Sequence, residues 1–195
     1  MSRIKLGMVG GGKGSFIGEV HRIAARLDDR YELLAGALSA DAKTAKESAD
    51  SINLDEKRSY SSFETMAKVE SALEDGIEAV AIVTPNHLHA QVAETFLNNG
   101  IHIICDKPLT ANLNDAEALA SAVEETGLVF AVTYNYSGYP MVRQAREMIQ
   151  NGDLGELRVI QIEYAQDWLA TGIEKTGHKQ ALWRTDPSIV GWQTT

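Results

Sequence analysis

The residues best suited to chemistry in this sequence follow the ends of predicted strands. The glycine cluster Gly10-Gly11-Gly12-Lys13-Gly14 comes directly after an apolar run over 4–9, and helical spacing begins soon afterwards. Glycines at a strand-to-helix turn let the backbone approach a diphosphate, and the first amides of the helix supply hydrogen-bond donors. The spacing departs from G-x-G-x-x-G because Ser15 takes the third glycine position and Gly18 follows later. We therefore predict a dinucleotide-binding turn with a short insertion before the helix.

The end of the second predicted strand, over 31–38, is the place where an acidic residue usually binds the ribose hydroxyls of NAD. Here the strand is followed by Ser39, Asp41 and Lys43. Ser39 with Lys43 suits a 2′-phosphate, as in NADP, whereas Asp41 suits a 2′-hydroxyl. Asp41 is also a good N-cap for the next helix. The sequence leaves the choice between NAD and NADP open.

Two more loops follow buried strands. Thr84-Pro85-Asn86-His87-Leu88-His89 comes after a strand over 78–83, and Asp106-Lys107-Pro108 comes after a strand over 101–105. Open parallel sheets bind ligands outside the carboxyl ends of their strands, so both loops are expected at one cleft. Lys107 is then a candidate acid or base, partly buried at the cleft mouth. The alternatives are a proline turn with surface histidines and a solvated lysine.

The elements that must position these loops alternate between strand and helix. Apolar spacing switches between a period of about 2 and a period of about 3.6, which is typical of βαβ units. Ser61 with Glu64, and Asn114 with Glu117, are predicted to cap two of the helices. We predict an α/β fold with a doubly wound, mostly parallel sheet over residues 1–135.

The pattern changes after residue 135. Pro140 is predicted to start a helix. Residues 157–164 alternate between apolar and polar types, which predicts a strand with one face exposed to water. One helix and one strand cannot bury a core of their own. We therefore predict that 136–195 is the incomplete beginning of an α/β domain for substrate binding and oligomerisation.

Composition excludes several classes of partner. Lys and Arg total 18 against 27 Asp and Glu, a formal net charge of −9, which argues against nucleic acid and against an anionic membrane surface. No apolar run is long enough to cross a bilayer, and the first residues lack a signal-peptide pattern. His87 and His89 have no further ligand residues at suitable spacing, so we expect no metal site. The single cysteine, Cys105, fits a reducing, cytoplasmic location.

Taken together, the motifs resemble the Gfo/Idh/MocA family of NAD(P)-dependent oxidoreductases. The resemblance rests on VGGGKGSFIGEVHR at 9–22, GALSADA at 36–42, AIVTPNHLH at 81–89, CDKPLT at 105–110, VTYNYSGYPMVRQAREMI at 132–149, GDLGELRVIQIEYAQ at 152–166 and LWRTDP at 182–187. It implies a Rossmann domain and hydride transfer between nicotinamide and a hydroxyl or carbonyl carbon of a sugar, polyol or cyclitol.

The resemblance also assigns roles to residues. Lys107 corresponds to the lysine of the family's Glu-Lys-Pro motif, with Asp106 replacing Glu, and is the predicted catalytic residue. Lys107 is also expected to contact substrate, together with Tyr136, Trp183 and Arg184. The predicted cofactor-binding residues are Gly10, Gly12, Lys13, Gly14, Ser15, Phe16, Ile17, Ser39, Asp41, Lys43, Thr84, Pro85, Asn86, His89, Asp106 and Asn135.

One departure from the family concerns the end of the sequence. The family continues with a segment like Gly-Asp-x-Gly-Thr-His, whose Asp and His complete the catalytic group, whereas 188–195 reads SIVGWQTT. We expect a chain without the rest of that group, whether shortened in the gene product, shortened by design or missing its remainder, with little turnover from these 195 residues alone. A homo-oligomer is expected only with the full C-terminal domain. The rival hypothesis is a non-catalytic NAD(P)-binding module, a sensor or remnant.

Overall fold

A computed structural model describes residues 2–165, 167 and 170–186 of the chain. The described residues fall into two compact units, one ending at Thr133 and the other covering Tyr134–Asp186. This division lies close to the predicted domain boundary after residue 135. Each unit is described by itself below.

A five-stranded parallel sheet forms the centre of the first unit, in the order β2-β1-β3-β4-β5. Its strands are β1 (Ile4–Gly10), β2 (Tyr31–Ala37), β3 (Ala79–Val83), β4 (His102–Cys105) and β5 (Phe130–Val132). Met8 in β1 is in register with Gly36 in β2 and with Ala81 in β3. The chain reverses its direction of winding between β1 and β3, and ligands bind at such a point in open α/β sheets.

Ser59 extends the sheet beyond β2 by a single parallel bridge to Gly36. The Tyr60 amide donates to the Gly36 carbonyl at 2.8 Å in the same place. Since β1 occupies the other edge of β2, this bridge stands where the third strand of a Rossmann sheet would pair. The order thus corresponds to the Rossmann order 3-2-1-4-5-6, with its outermost strand reduced to one bridge.

Helices connect the strands of this sheet. They are α1 (Phe16–Leu27), α2 (Ala42–Ser51), α3 (Phe63–Glu70), α4 (His89–Leu97) and α5 (Leu113–Thr126). Short 3₁₀ turns cover Glu56–Arg58 and Asn86–Leu88. Among the described residues, no helix is both long and apolar enough to cross a membrane.

The two faces of the sheet carry separate cores because successive strand residues point to opposite sides. On one face, Leu6, Met8 and Ala81 pack with side chains from α1 and α2. On the other, Val80 and Ile82 pack with side chains that include Met66 of α3 and Phe96 of α4. Helices therefore cover both faces, which confirms the predicted doubly wound sheet.

Two predicted helix caps are wrong by one or two positions. The cap of α3 is Ser62, whose Oγ accepts from the Thr65 amide at 3.2 Å, and Ser61 lies outside it. The cap of α5 is Asn112, whose Oδ1 accepts from the Asp115 amide at 3.0 Å, rather than Asn114. In both cases neighbouring polar residues fit the capping pattern equally well, and only the backbone direction distinguishes them.

The second unit contains a 3₁₀ turn over Asn135–Gly138, followed by α6 (Pro140–Gln150), a 3₁₀ turn over Ile173–Thr176, and α7 (Lys179–Arg184). Pro140 starts α6 as predicted. The predicted strand over 157–164 is absent from the described part of the chain, and Val159, Ile160 and Ile162 are largely exposed there. A strand exists only with a hydrogen-bonded neighbour, which the alternating pattern alone does not supply.

A buried charge cluster fixes the segment that carries the Ser59 bridge. Glu70 at the end of α3 is fully buried and accepts hydrogen bonds from two nitrogens of Arg58, with the Nε bond at 2.7 Å. The Tyr60 hydroxyl donates to the same carboxylate at 2.6 Å, and the Ile77 amide donates at 3.2 Å. Hydrogen bonding to Glu70 raises the pKa of Arg58. The cluster ties α3 to the outer edge of β2.

We predict that Glu70→Gln lowers the free energy of unfolding by about 3 kcal/mol, because breaking the buried ion pair leaves the half-buried Arg58 only the exposed carboxylate of Asp75, 3.2 Å away, as a countercharge. Urea denaturation followed by circular dichroism measures this loss. The matched control is Glu74→Gln, at an exposed position, which should leave the unfolding midpoint nearly unchanged. Equal midpoints for the two variants would contradict a structural role for the cluster.

Candidate functional site

The glycine turn after β1 passes very close to β3. Gly10 has a φ of +78°, a region that side chains disfavour. A Cβ atom at Gly10 would lie 2.9 Å from the Val83 carbonyl oxygen. Glycine is therefore required where the chain leaves β1 at the switch point of the sheet.

The start of α1 is held directly against this turn. Ser15 is the N-cap of α1 and its Oγ accepts from the Gly18 amide at 3.4 Å. A Cβ atom at Gly18 would lie 2.4 Å from both the Cα and the carbonyl oxygen of Gly11. Gly18 thus performs the close helix–strand packing that the third glycine of G-x-G-x-x-G provides. It was not among the predicted site residues, although its spacing was the signal for it.

Gly12 and Lys13 join the turn to β2 and α2. The Gly12 amide donates to the Leu38 carbonyl at 3.2 Å, and the Lys13 amide donates to Ser48 Oγ at 2.9 Å. A Cβ atom at Gly12 would meet the Leu38 oxygen at 2.6 Å. The ammonium of Lys13 is exposed and forms an ion pair with Glu47 at 3.0 Å. The turn is therefore fixed from both sides.

A cavity of about 310 Å³ opens beside the glycine turn, between α1 and α2. Its lining residues are Gly11, Gly12, Lys13, Gly14, Ser15, Phe16, Glu19, Arg22, Leu38, Ser48, Ser51 and Ile52. Phe16 is largely exposed, whereas Ile17 packs partly into the adjacent core. The cavity covers the turn and the end of β2, and its lining includes neither Thr84 nor Lys107.

Arg22 is a site residue that the sequence reasoning missed. It lies one helical turn after Gly18, and its Nη1 donates to the Gly11 carbonyl at 2.7 Å. Partial burial lowers the pKa of Arg22, yet an arginine stays charged at neutral pH. A fixed cation and the N-terminus of α1 are thus both close to the turn. Both favour a bound anion such as a diphosphate.

At the end of β2, Asp41 is the N-cap of α2. Its Oδ1 accepts from the backbone amide of Thr44 at 2.8 Å and from the Thr44 hydroxyl at 2.6 Å. These bonds, led by the one from the Thr44 hydroxyl, lower the pKa of Asp41. The Ser39 hydroxyl accepts from the Asp41 amide at 3.2 Å, and Lys43 is exposed. The capping role of Asp41 leaves both ribose hypotheses open.

The loop after β3 contains a buried hydroxyl group that makes no hydrogen bond to the described residues. Thr84 Oγ1 is buried and has no hydrogen-bond partner among the described residues. Pro85 is exposed beside it, and Asn86 is buried at the start of the 3₁₀ turn. A buried polar atom without a partner costs free energy, so the Thr84 hydroxyl fits a site that a ligand completes.

His89 links this loop to the loop after β4. Its ring is fully buried, with Nδ1 2.7 Å from the Pro108 carbonyl oxygen and Nε2 3.0 Å from the Thr84 carbonyl oxygen. A ring nitrogen that carries a proton donates to the carbonyl oxygen it faces. Both ring nitrogens face backbone oxygens, so neither is available to bind a cofactor directly. His89 can therefore act on a cofactor only by positioning the two loops that it joins.

Asp106 lies where three elements of the first unit meet. Its Oδ1 accepts from the Thr133 hydroxyl at 3.0 Å and lies 3.7 Å from Nε2 of His21 on α1. Burial by itself would raise the pKa of Asp106, but His21, Thr133 and the Lys107 backbone amide outweigh it and the pKa is lowered. The carboxylate is therefore ionised at neutral pH. His21 was not among the predicted site residues.

Lys107 follows at the carboxyl end of β4, joined to Pro108 by a cis peptide bond. Lys107 is exposed, whereas the sequence analysis predicts that it is partly buried. That part of the prediction is wrong. The described residues include no hydrogen-bond or ion-pair partner for its ammonium group. The lysine is thus free to meet a ligand at the edge where β1 and β3 also end.

The other predicted site residues belong to the second unit. Asn135 and Tyr136 lie in its first 3₁₀ turn, and Arg184 ends α7 and is half-buried. Trp183 lies on α7 with its side chain outside the described part, and residues 188–195 are also outside it. Over the described ranges, no group of three or more His, Cys, Asp or Glu side chains is arranged for a metal ion.

We predict a pH-dependent contribution of Asp106 to stability. Its folded-state pKa lies below the ordinary value of about 3.9, so the ionised group stabilises the fold above that pH and the effect is lost as pH falls through the folded pKa. The free energy of unfolding should therefore be higher for wild type than for Asp106→Asn. This difference should be largest at pH 7 and smaller near about pH 3.

Urea denaturation at both pH values measures that difference, with the exposed Asp153→Asn as the control. The control should match wild type at both pH values. A gap between wild type and Asp106→Asn that stays constant with pH would contradict the assignment.

Comparison with known proteins identifies relatives for most of the chain. Residues 4–134 match the oxidoreductase family with an NAD-binding Rossmann fold that is designated Gfo/Idh/MocA. A levoglucosan dehydrogenase from Pseudarthrobacter phenanthrenivorans is 31% identical over 192 residues, covering 98% of this chain and 47% of the relative.

Solved structures are similar over the same part. An oxidoreductase from Sinorhizobium meliloti is 60% identical with a TM-score of 0.83, covering 87% of this chain and 47% of the other. An inositol dehydrogenase homolog from Azotobacter vinelandii, in complex with NADH and myo-inositol, is 36% identical with a TM-score of 0.86. The similarity covers 95% of this chain and 48% of the other. The chain spans about half the length of these relatives. The family predicted from the motifs is confirmed: this chain belongs to the Gfo/Idh/MocA family of oxidoreductases.

Proposed function

We propose that this chain supplies the NAD(P)-binding domain and the catalytic lysine of a dehydrogenase that acts on a hydroxyl or carbonyl carbon of a sugar, polyol or cyclitol. The observation that carries the proposal is the glycine turn. Gly10, Gly12 and Gly18 each occupy a position where a Cβ atom would collide with backbone. The start of α1 and Arg22 lie against the same turn.

The residues of the turn bind and orient the diphosphate of the cofactor in this proposal. Backbone amides at the start of α1 donate to its oxygens, and Arg22 adds a positive charge. The Thr84 hydroxyl, which has no described hydrogen-bond partner, is available to the nicotinamide half. The bound nicotinamide supplies the hydride exchange. His89, whose ring nitrogens face the Thr84 and Pro108 carbonyl oxygens, keeps the Thr84 loop in position.

Lys107 holds or moves the proton at the reacting oxygen of the substrate. An ammonium group donates three hydrogen bonds and also stabilises negative charge on that oxygen. The position of Lys107 after β4, at the edge where β1 and β3 also end, supports this role, and the lack of a described partner leaves its ammonium group available for it. General acid–base groups of this kind contribute rate factors of about 10²–10⁴.

The substrate class is supported by relatives and by an aromatic cluster in the second unit. One relative is a levoglucosan dehydrogenase, and one structural neighbour holds myo-inositol, so both names refer to polyhydroxylated rings. In this chain the hydroxyls of Tyr136 and Tyr164 lie 2.5 Å apart, and the rings of Tyr136 and Tyr139 meet edge-to-face at 5.4 Å. Exposed tyrosines of this kind suit the alternating polar and apolar surface of a sugar ring.

The first experiment measures cofactor binding by isothermal titration calorimetry with NADH and NADPH. We predict binding of at least one of them by wild type, and at least about tenfold weaker binding by Gly12→Ala, because the new Cβ displaces the turn from Leu38 and Ser48. The comparison of NADH with NADPH decides between the two ribose hypotheses.

The matched control is Gly138→Ala, since a Cβ at that glycine meets its nearest neighbour at 3.9 Å, an ordinary contact. Gly138→Ala should bind the cofactor like wild type, and circular dichroism checks that all three proteins are folded. Folded wild type that binds neither nucleotide would overturn the proposal.

A further inference from the structure

We infer that His21 is a positioning residue, which acts through Asp106 to orient the Lys107 turn toward the nicotinamide half of the cofactor. The inference rests on the proposed cofactor site and adds a residue to it. Its basis is the placement of α1, a single rigid helix that contacts two loops of the same sheet edge. The start of α1 lies against the glycine turn, and His21, in its second turn, faces Asp106.

The contact between His21 and Asp106 is largely shielded from water. The two side chains are only 12% and 18% exposed, and Nε2 of His21 lies 3.7 Å from Oδ1 of Asp106. This distance is within ion-pair range but longer than a direct hydrogen bond. Hydrogen bonds at catalytic sites are often long without ligand and shorten in the complex.

Asp106 is held from several directions at once. Its Oδ1 accepts from the Thr133 hydroxyl at 3.0 Å, and its backbone amide donates to the Ile82 carbonyl at 2.9 Å. The Lys107 amide also interacts favourably with the carboxylate. The peptide group between Asp106 and Lys107 is therefore fixed by β3, by the end of β5 and by α1.

Lys107 depends on this arrangement for its direction. Its ammonium group has no described partner in the first unit, so only the backbone that carries it limits where it points. Without His21, the Asp106 carboxylate would keep the Thr133 bond but could rotate about it, and the Lys107 turn would lose its connection to α1. We therefore expect loss of the nicotinamide-dependent part of binding, and an unchanged diphosphate site.

The experiment compares two ligands, NADH and ADP-ribose, because ADP-ribose carries the diphosphate but lacks nicotinamide. Dissociation constants are measured by calorimetry for wild type, His21→Leu and His21→Gln. His21→Leu should bind NADH about tenfold more weakly, the usual scale for a lost charge-assisted contact, and ADP-ribose within about twofold of wild type. If NADPH is the preferred nucleotide, it and 2′-phospho-ADP-ribose replace this pair.

The conservative variant separates positioning from packing. His21→Gln keeps an N–H donor toward Asp106 and should recover most of the NADH affinity. In an Asp106→Asn background, His21→Leu should have little further effect, because the group through which it acts has been altered. A merely structural role of His21 would weaken NADH and ADP-ribose alike and would show the same loss in both backgrounds.

The outcomes distinguish the inference from the proposed function. Wild type that binds neither ligand contradicts the cofactor site itself. Wild type that binds both ligands, with His21→Leu retaining full preference for NADH over ADP-ribose, overturns the positioning role and leaves the cofactor site intact. Selective loss of that preference, with recovery in His21→Gln, supports the inference.

Discussion

The close contact between Gly18 of α1 and the backbone of Gly11 is the constraint on which the site depends. A Cβ atom at Gly18 would approach Gly11 to 2.4 Å, so the helix can lie at this distance only without a side chain there. The contact brings the first amides of α1 to the turn and lets Arg22 donate to the Gly11 carbonyl at 2.7 Å. It also carries His21 to within 3.7 Å of Asp106. One helix thereby sets the geometry of both loops.

The parallel sheet supplies the second constraint, since it brings the ends of β1, β3 and β4 to one edge. The residues that follow them are far apart in the sequence, yet polar contacts join the loops after β3 and β4. The ring nitrogens of His89 lie 3.0 Å from the Thr84 carbonyl oxygen and 2.7 Å from that of Pro108, and the Asp106 amide donates to the Ile82 carbonyl. These contacts fix the two loops to the sheet and to each other, and the proposed cofactor site needs such fixed groups around it. The acidic net charge of −9 is compatible with this site because the local charge of Arg22 and the start of α1, not the net charge, acts on an anion at the turn.

Much of this arrangement follows from sequence patterns, and the rest does not, for physical reasons. Alternating periods predict the doubly wound sheet, and the turn, Thr84 and Lys107 follow strands whose ends must meet. The sequence patterns do not predict the roles of Arg22, Ser48 and His21, because these roles depend on which face of each helix packs toward the turn. Side-chain types alone do not reveal contacts between residues that are far apart in the sequence. The caps at Ser62 and Asn112 compete with equally suitable neighbours. The exposed segment over 157–164 alternates like a strand, but pairing depends on a neighbour that periodicity cannot specify.

The substitution Gly18→Ala tests the central claim most directly, with NADH affinity and the free energy of unfolding measured on the same samples. The account predicts a loss of about 1–3 kcal/mol in stability from the backbone clash, together with at least about tenfold weaker NADH binding, since the amides of α1 move away from the diphosphate. Gly138→Ala should leave both quantities unchanged. A Gly18→Ala variant with the stability and the NADH affinity of wild type would contradict the claim that this contact sets the site.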